Sequence, residues 1–326
     1  MLASANEIKF VELESETHEN VYEIKAKQIL DTNSMVEEFM LLANIAVAEK
    51  IFKEFPELAL LRRHPKPSES NFEELIAMAK RYGYEMDISC GKKFGESLDK
   101  IADDKNPMMN LIIRIMATRC MSQALYFCTG SLKESEQLYS HFGLATTLYT
   151  HFTSPIRRYA DLMVHRLLSH AIEFESIDSS LLHKQRMQEL CEHINDRNKN
   201  AREASRESNH LHSYLYVRNN PKEVVEEEGH VMFVKKNAIV IFIPHLAMEV
   251  NYYVKPEKDW IYDEQHLTQE YVPKNAKLKW FDVLTVKLSV KEQLTANISK
   301  TIDVQLIKPF SVDITTNDRS NKKLKT

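Results

Sequence analysis

The sequence predicts an α+β protein in which a largely helical module precedes a small β-barrel. Up to about residue 220, apolar residues recur at helical spacing in several segments. From Val224 onward, short runs rich in Val, Ile, Phe and Tyr replace them, and several such strands within about 90 residues are typical of an OB-fold. The last stretch has no apolar period and is basic. We therefore expect a helical module over residues 1–220, an OB-fold over 221–312 and a disordered basic tail over 313–326.

The helical module divides into segments with definable ends. Residues 1–30 alternate weakly between polar and apolar and include an acidic stretch, which indicates an extended segment. Helices are predicted over 34–55, begun by a Ser34–Glu37 capping box, over 71–83, ended by Gly83, and over 106–127. Two prolines within 62–70 predict a loop, and residues 181–216 predict one long amphipathic helix or two shorter ones.

Composition narrows the class of protein. The chain has 326 residues, of which 43% are hydrophobic and 28% charged, and its net charge is −4. A core of this size needs no disulfide, and the four cysteines show no CxxC or metal-ligand spacing, so we expect reduced thiols in an intracellular protein. No apolar run approaches the ~18 residues of a membrane span, so no membrane partner is expected. Because the chain is not basic overall, any nucleic-acid binding must come from local patches.

The segment "YTHFTSPIRRYADLMVHRLL" (149–168) places two arginines where a helix is predicted to begin. Ser154 is a favoured N-cap and Pro155 is tolerated at the first helical position, which would put Arg157 and Arg158 in the first turn. A cation there costs about 0.3–1 kcal/mol, because the helix dipole favours negative charge at that end. Two interpretations stay open. Either Arg157 pairs with Asp161, with His165 on the same face as a further partner, or the arginines bind a phosphate.

The same segment closely resembles the characteristic motif of the RNB exoribonucleases, the family of bacterial ribonucleases II and R. The stretches "TNSMVEEFMLLAN", "LLRRHPKPSESNFE", "MATRCMSQALYFCTG" and "FVKKNAIVIFIP" are similar to the exosome-associated eukaryotic branch of that family. The resemblance runs from about residue 2 to 312. It implies processive 3′-to-5′ hydrolysis of single-stranded RNA to nucleoside 5′-monophosphates, with magnesium as cofactor. It also implies exosome core subunits as partners and a location in the nucleus, including the nucleolus, and in the cytoplasm.

The resemblance assigns roles to individual residues of the motif and to one residue outside it. Arg157 matches the catalytic arginine that lies against the scissile phosphate, where a cation would stabilise developing negative charge. Arg158 could bind a neighbouring phosphate or a carboxylate. Tyr159 is a candidate RNA contact that can also orient the motif, and Ser154, Asp161 and His165 are expected to support it. Glu38 falls where relatives contact RNA near its 3′ end; it could equally be a solvated helix charge.

Three further RNA-binding candidates lie outside the motif. Lys235 and Lys236 stand at a predicted turn before "NAIVIFIP", where a basic OB-fold surface could follow the RNA backbone. Arg202 belongs to a stripe with Lys199 and Arg206 on the long helix, although neighbouring glutamates also fit a solvated mixed-charge face. The barrel aromatics either stack on bases or fill the core: Phe233, Tyr252, Tyr253 and Trp280.

One departure from the family pattern concerns the metal. The family's magnesium site is a cluster of aspartates in a D-x-x-D-D motif, because magnesium demands several oxygen ligands. Here the adjacent aspartates Asp103 and Asp104 are predicted to lie in a helix-ending turn, so no metal site is predicted within the chain. We therefore expect the C-terminal half of a longer exoribonuclease, inactive alone. The alternatives are a non-catalytic RNA-binding or scaffold short form, and a fragment that does not fold alone.

Overall fold

A computed structural model describes residues 8–12, 21–26, 30–103, 106–132, 136–176, 182–220, 225–255, 257–293 and 299–308. They belong to two compact units. The first comprises described residues within 28–102 and 113–205, and the second those within 5–27, 103–112 and 206–326. The predicted basic tail at 313–326 lies outside the described residues. No described helix is long and apolar enough to cross a membrane.

The first unit packs helices around a short β-ribbon. It contains α1 (Asp31–Glu54), α2 (Glu73–Arg81), α3 (Gly91–Asp99) and α5 (Tyr159–Ala171), together with parts of α4 (Met108–Cys120) and α6 (Lys184–Arg218). Strand β3 (Leu60–Arg63) pairs antiparallel with β4 (Leu125–Cys128). A single buried cluster joins α1, the ribbon, α5 and α6, and its members include Ile51, Leu60, Phe127, Val164, Leu167 and Cys191.

Helix α1 begins three residues before the predicted capping box. Its N-cap is Leu30, whose backbone N–H donates to the Asn33 side-chain oxygen at 2.9 Å. The Ser34–Glu37 box is therefore wrong, since Asn33 already supplies the acceptor one turn into the helix. By contrast, the end of α2 is as predicted: Gly83 follows it with a φ of 83°, a left-handed conformation that glycine adopts without steric cost.

Two predicted boundaries change because β3 and β4 pair. The helix predicted over 106–127 ends at Cys120, and Leu125–Cys128 forms β4 instead. Residues 62 and 63, predicted as the start of a loop, belong to β3. A short apolar run such as Leu125–Cys128 suits either a helix or a strand, and here the partner strand decides. The segment predicted as one or two helices near 181–216 is the single helix α6.

The second unit contains a curled five-stranded antiparallel sheet. Its strands are β5 (Val225–Val234), β6 (Ala238–Ile243), β7 (Met248–Tyr253), β11 (Val283–Gln293) and β12 (Ser299–Lys308). They are ordered β12–β11–β5–β6–β7, and the outer strands β7 and β12 approach each other. This arrangement is that of a partly open OB-type barrel, which confirms the predicted fold class.

Smaller sheets complete the second unit. Strands β8 (Trp260–Asp263), β9 (Thr268–Tyr271) and β10 (Ala276–Leu278) form a three-stranded sheet between β7 and β11 in the sequence. Strands β1 (Ile8–Glu12) and β2 (Val21–Ala26) form an antiparallel pair, in keeping with the extended segment predicted near the N-terminus. The four cysteines, all among the described residues, are free thiols.

Candidate anion-binding site

The two motif arginines lie before helix α5, not in its first turn. The helix begins at Tyr159 with Arg158 as N-cap, and the residues before it form a turn. In this turn the carbonyl oxygen of Ser154 accepts the backbone N–H groups of Arg157 at 3.3 Å and Arg158 at 3.1 Å. The predicted helix start at Ser154 and Pro155 is therefore wrong. Because neither arginine lies in the first turn of α5, the predicted cost of placing cations in that turn does not apply.

Asp161 explains the shift of the helix start. Its carboxylate, at the third position of α5, is 0% exposed and accepts the backbone N–H of Ser154 at 2.7 Å. It also takes two hydrogen bonds from Arg158, from Nε at 2.8 Å and from Nη2 at 2.7 Å. A buried carboxylate needs such partners, and the start of a helix favours its charge. Asp161 thus pairs with Arg158. The interpretation that paired Asp161 with Arg157 is therefore wrong.

Arg157 is left exposed by this arrangement. Within the described part of the chain, its side chain makes no ion pair and no hydrogen bond. The turn that Asp161 holds therefore presents a guanidinium group that is free to bind an external anion.

Arg157 and Arg158 line a pocket of about 780 Å³. The walls come from β3, β4, the loop before the Ser154 turn, the start of α5 and the middle of α6. Among the residues that the structure describes, no aspartate or glutamate lines this pocket. Its basic and imidazole lining consists of Arg62, Arg157, Arg158, Arg197, His151 and His193. This pocket is called the arginine pocket below.

The β-ribbon positions Arg62 in the arginine pocket. Arg62 and Tyr126 are direct cross-strand neighbours in the β3–β4 register. The guanidinium carbon lies 5.1 Å from the centroid of the Tyr126 ring, and Nη1 donates to the Tyr126 hydroxyl at 3.3 Å. The backbone N–H and C=O of Tyr126 each bond the Asn195 side chain at 2.9 Å, which fixes α6 against β4. Neither Arg62 nor Tyr126 was a candidate from the sequence, although both lie in stretches that carry the family resemblance.

His151 completes this network as a neutral imidazole. Its Nδ1 lies 3.1 Å from Arg62 Nη1 and 2.5 Å from the Tyr126 hydroxyl. Burial, helped by the charges of Arg62 and Arg158, lowers the pKa of His151 to about 2. Since an arginine can only donate, Nδ1 acts as an acceptor. His151 therefore adds no positive charge to the pocket, whereas the arginines stay charged throughout the physiological pH range.

The supporting residues of the motif act on its backbone. His165 lies 2.9 Å from the carbonyl oxygen of Phe152 through Nε2, and its ring stacks on Phe152 with centroids 4.3 Å apart. This contact fixes the segment that leads into the Ser154 turn. Tyr159, 54% exposed, lines the arginine pocket and can offer its ring to a ligand.

The remaining sequence candidates do not line the arginine pocket. Glu38 is exposed on α1, and Arg202 is exposed on α6, where it donates to the side-chain oxygen of Gln123. Neither lines the pocket. Lys235 and Lys236 belong to the other unit and are exposed at the turn between β5 and β6, the position that the sequence predicts. Their RNA-binding roles stay predictions.

The barrel aromatics fall into two groups. Tyr252 and Trp280 are buried, so they belong to the core of the second unit. Phe233 is half-buried, with Lys235 Nζ 6.0 Å from its ring centroid, and Tyr253 is 58% exposed. Phe233 and Tyr253 are therefore the two of these four aromatics that offer accessible ring surface.

The described residues do not fit a magnesium ion. They contain no group of three or more carboxylate, imidazole or thiol side chains arranged to hold a metal. Asp161 is the buried carboxylate beside the arginine pocket, and Arg158 and the Ser154 N–H occupy it. Asp104 lies outside the described residues. The described residues therefore do not supply the several oxygen ligands that magnesium requires.

Comparison with known proteins adds three observations. The family model of the RNB domain matches residues 2–173, just over half of the chain. The chain is 42% identical to the probable exosome complex exonuclease RRP44 of Caenorhabditis elegans, covering 94% of this chain and 31% of that protein. It is 44% identical to the exosome complex exonuclease RRP44 of Homo sapiens, over 80% of this chain and 27% of that protein.

A solved structure shares the fold. Ribonuclease R of Mycoplasma genitalium in complex with ribose-methylated single-stranded RNA matches with a TM-score of 0.72 and 22% identity, covering 89% of this chain and 44% of that one. The chain thus spans about a third or less of the length of the curated relatives named above.

Proposed function

The chain belongs to the RNB family, and from that membership we propose that it serves 3′-to-5′ degradation of single-stranded RNA as part of an exosome-associated exoribonuclease. The identity of 42–44% to exosome complex exonucleases supports this proposal. Since the chain spans only part of those proteins, the catalytic activity, the substrate and the exosome partners all belong to the proposal.

The arginine pocket carries the proposal. Its four arginines face a space with no acidic lining among the described residues, and Asp161 compensates the charge of Arg158 alone. Guanidinium groups bind phosphate oxygens through paired hydrogen bonds, and a cleft of one sign of charge concentrates ligands of the opposite sign. An RNA phosphate is a ligand that arginine side chains bind, and RNA is the substrate that we propose from membership of the RNB family.

The pocket arginines have different proposed roles. Arg157, exposed and without a partner in the described part of the chain, contacts the scissile phosphate and stabilises charge that develops on its oxygens. Arg158 is bound to Asp161 and positions the turn that carries Arg157. Arg62, held by Tyr126 and His151, offers a second, preorganised cation from β3.

A non-catalytic RNA-binding role is the second candidate. The observation that favours it is the engagement of Asp161, which leaves this carboxylate unavailable as a metal ligand. In the leading proposal, magnesium is held mainly by residues outside this chain, and the location is the nucleus, including the nucleolus, and the cytoplasm. In the second, the chain holds RNA and does not hydrolyse it.

One experiment tests RNA binding and RNA hydrolysis by this chain together. The 326-residue chain is incubated with magnesium and single-stranded RNA labelled at either end. Release of mononucleotide from the 3′-labelled strand, with gradual shortening of the 5′-labelled strand, supports 3′-to-5′ hydrolysis by the chain itself. Binding without release is the expected result under both roles for the chain alone, since the leading proposal places the magnesium ligands mainly outside it. Absence of binding at low salt refutes both.

Arg157→Ala tests the pocket assignment in the same assay. Loss of a charge-assisted contact should weaken RNA binding about tenfold or more. The unfolding free energy should change by less than about 0.5 kcal/mol, because Arg157 is exposed and unpaired among the described residues. Arg81→Ala, which removes an exposed arginine on α2, is the matched control and should leave binding within about twofold. Equal effects of the two variants would contradict the assignment.

A further inference from the structure

We propose that a second pocket, which adjoins the arginine pocket at Tyr159, binds the phosphate group of a nucleotide. This inference rests on the proposed function, because it extends the same RNA-binding surface. The second pocket has a volume of about 390 Å³ and shares Tyr159, Leu190 and His193 with the arginine pocket. Its own cations are Arg166 and Arg186. We call it the α5–α6 pocket.

Helix periodicity brings these cations together. Tyr159, Met163 and Arg166 are spaced i, i+4 and i+7, so they lie along one face of α5. On α6, the residues spaced in the same way from Arg186 are Leu190 and His193, and Arg197 continues the row into the arginine pocket. The two rows face each other across a groove. At a rise of about 1.5 Å per residue, Arg166 lies about 10 Å beyond Tyr159 along α5.

The charges of the α5–α6 pocket leave room for an anion. Arg166 and Arg186 are exposed, and within the described residues neither makes an ion pair. The acidic lining residue is Glu189, whose carboxylate accepts a hydrogen bond from Gln185 at 3.0 Å. Two arginines against one glutamate leave a net positive charge. Guanidinium groups recognise phosphate oxygens in pairs, and the exposed Tyr159 ring between the pockets offers a stacking face for a base.

Two sources could supply this phosphate. It is either a phosphodiester of the RNA strand whose end occupies the arginine pocket, or the phosphomonoester of a nucleoside 5′-monophosphate. At about 3.4 Å per stacked nucleotide, the 10 Å along α5 corresponds to roughly three nucleotides. A dinucleotide in the arginine pocket would therefore not reach Arg166 and Arg186, whereas an octanucleotide would.

The test measures binding of three probes to the full chain at low salt: adenosine 5′-monophosphate, a uridine dinucleotide and a uridine octanucleotide. The variants are the double variant Arg166→Ala/Arg186→Ala, Glu189→Gln, and Arg81→Ala as a control. The double variant should lose at least fivefold in affinity for the monophosphate or for the octanucleotide. Loss for the monophosphate identifies a mononucleotide site, and loss for the octanucleotide alone identifies a strand phosphate. The dinucleotide should lose less than twofold.

Glu189→Gln controls for the possibility that the double variant loses affinity only because it misfolds. It removes the opposing negative charge, so the affected probe should bind more tightly, by about twofold or more. Unchanged affinity of the double variant for both the monophosphate and the octanucleotide overturns the inference, and so does a lack of tightening in Glu189→Gln. Arg157→Ala separates this outcome from failure of the proposed function. Weakening by Arg157→Ala alone refutes the α5–α6 pocket only, whereas weakening by the double variant alone refutes the role of the arginine pocket only.

Discussion

Replacing Asp161 by asparagine should destabilise the first unit strongly, because this carboxylate is the one buried anion beside the arginine pocket among the described residues. Asp161 is 0% exposed and accepts three hydrogen bonds, one from the Ser154 N–H and two from Arg158. The substitution keeps the shape and one acceptor oxygen. It removes the negative charge and turns an NH₂ group toward Arg158, which only donates.

The expected loss follows from these contacts. Removing one partner of a buried ion pair costs about 3–5 kcal/mol, since the other charge is left uncompensated. Because the Arg158 side chain is 23% exposed and can reach water in part, we expect the lower end, about 3 kcal/mol. The turn that holds Arg157 should also loosen, so RNA binding should weaken even under conditions in which the variant is folded.

Urea denaturation followed by circular dichroism at 222 nm measures the loss. Asp196→Asn, at an exposed position on α6, is the matched control and should change the unfolding free energy by less than about 0.5 kcal/mol. A double variant Asp161→Asn/Arg158→Gln should lose clearly less than the sum of the two single variants, because it leaves no orphan charge. A loss below about 1 kcal/mol for Asp161→Asn, or additive losses, would refute the reasoning.

Two further predictions concern stability. His141, 8% exposed, and His151 have folded-state pKa values of about 3 and about 2, both lowered mainly by burial. Below the usual pKa of 6.5 the unfolded chain therefore binds protons that the folded chain does not, and stability falls with falling pH. The loss should reach about 1 kcal/mol per histidine between pH 7.5 and 5.5, and His141→Gln should reduce this pH dependence of the thermal midpoint. A midpoint independent of pH over this range would contradict the buried, neutral state. Gly91→Ala should cost more than about 2 kcal/mol, because a Cβ atom there would lie 1.8 Å from the carbonyl oxygen of Phe142. Gly95→Ala in the same helix α3 meets no atom within 4 Å and should stabilise by about 0.5–1 kcal/mol, so equal signs for the two glycine variants would show that the close approach is wrong.

The sequence by itself determined the features that depend on local pattern. Alternating and β-branched runs after Val224 predicted the strands of the barrel, and a glycine at position 83 predicted the end of α2. The turn that carries Lys235 and Lys236 followed from polar residues between two apolar runs. The motif over 149–168 pointed to the segment that lines the arginine pocket, to which it contributes His151, Arg157, Arg158 and Tyr159.

Only the tertiary structure decided which residues meet. Arg62 and Tyr126 are far apart in the sequence, and only the β3–β4 register places them side by side with His151 in one hydrogen-bonded network. The same pairing turned the end of a predicted helix into β4.

The start of α5 was decided in the same way. Ser154 is a favoured N-cap residue, but it does not cap α5. The buried carboxylate of Asp161 instead accepts hydrogen bonds from the Ser154 N–H and from Arg158, and this arrangement leaves Arg157 exposed. Local preferences are worth about 1 kcal/mol, whereas an unpaired buried carboxylate costs several times more. Where a local preference competes with a buried contact, the buried contact determines the structure. The contacts of Asp161 therefore determined the geometry of the candidate site.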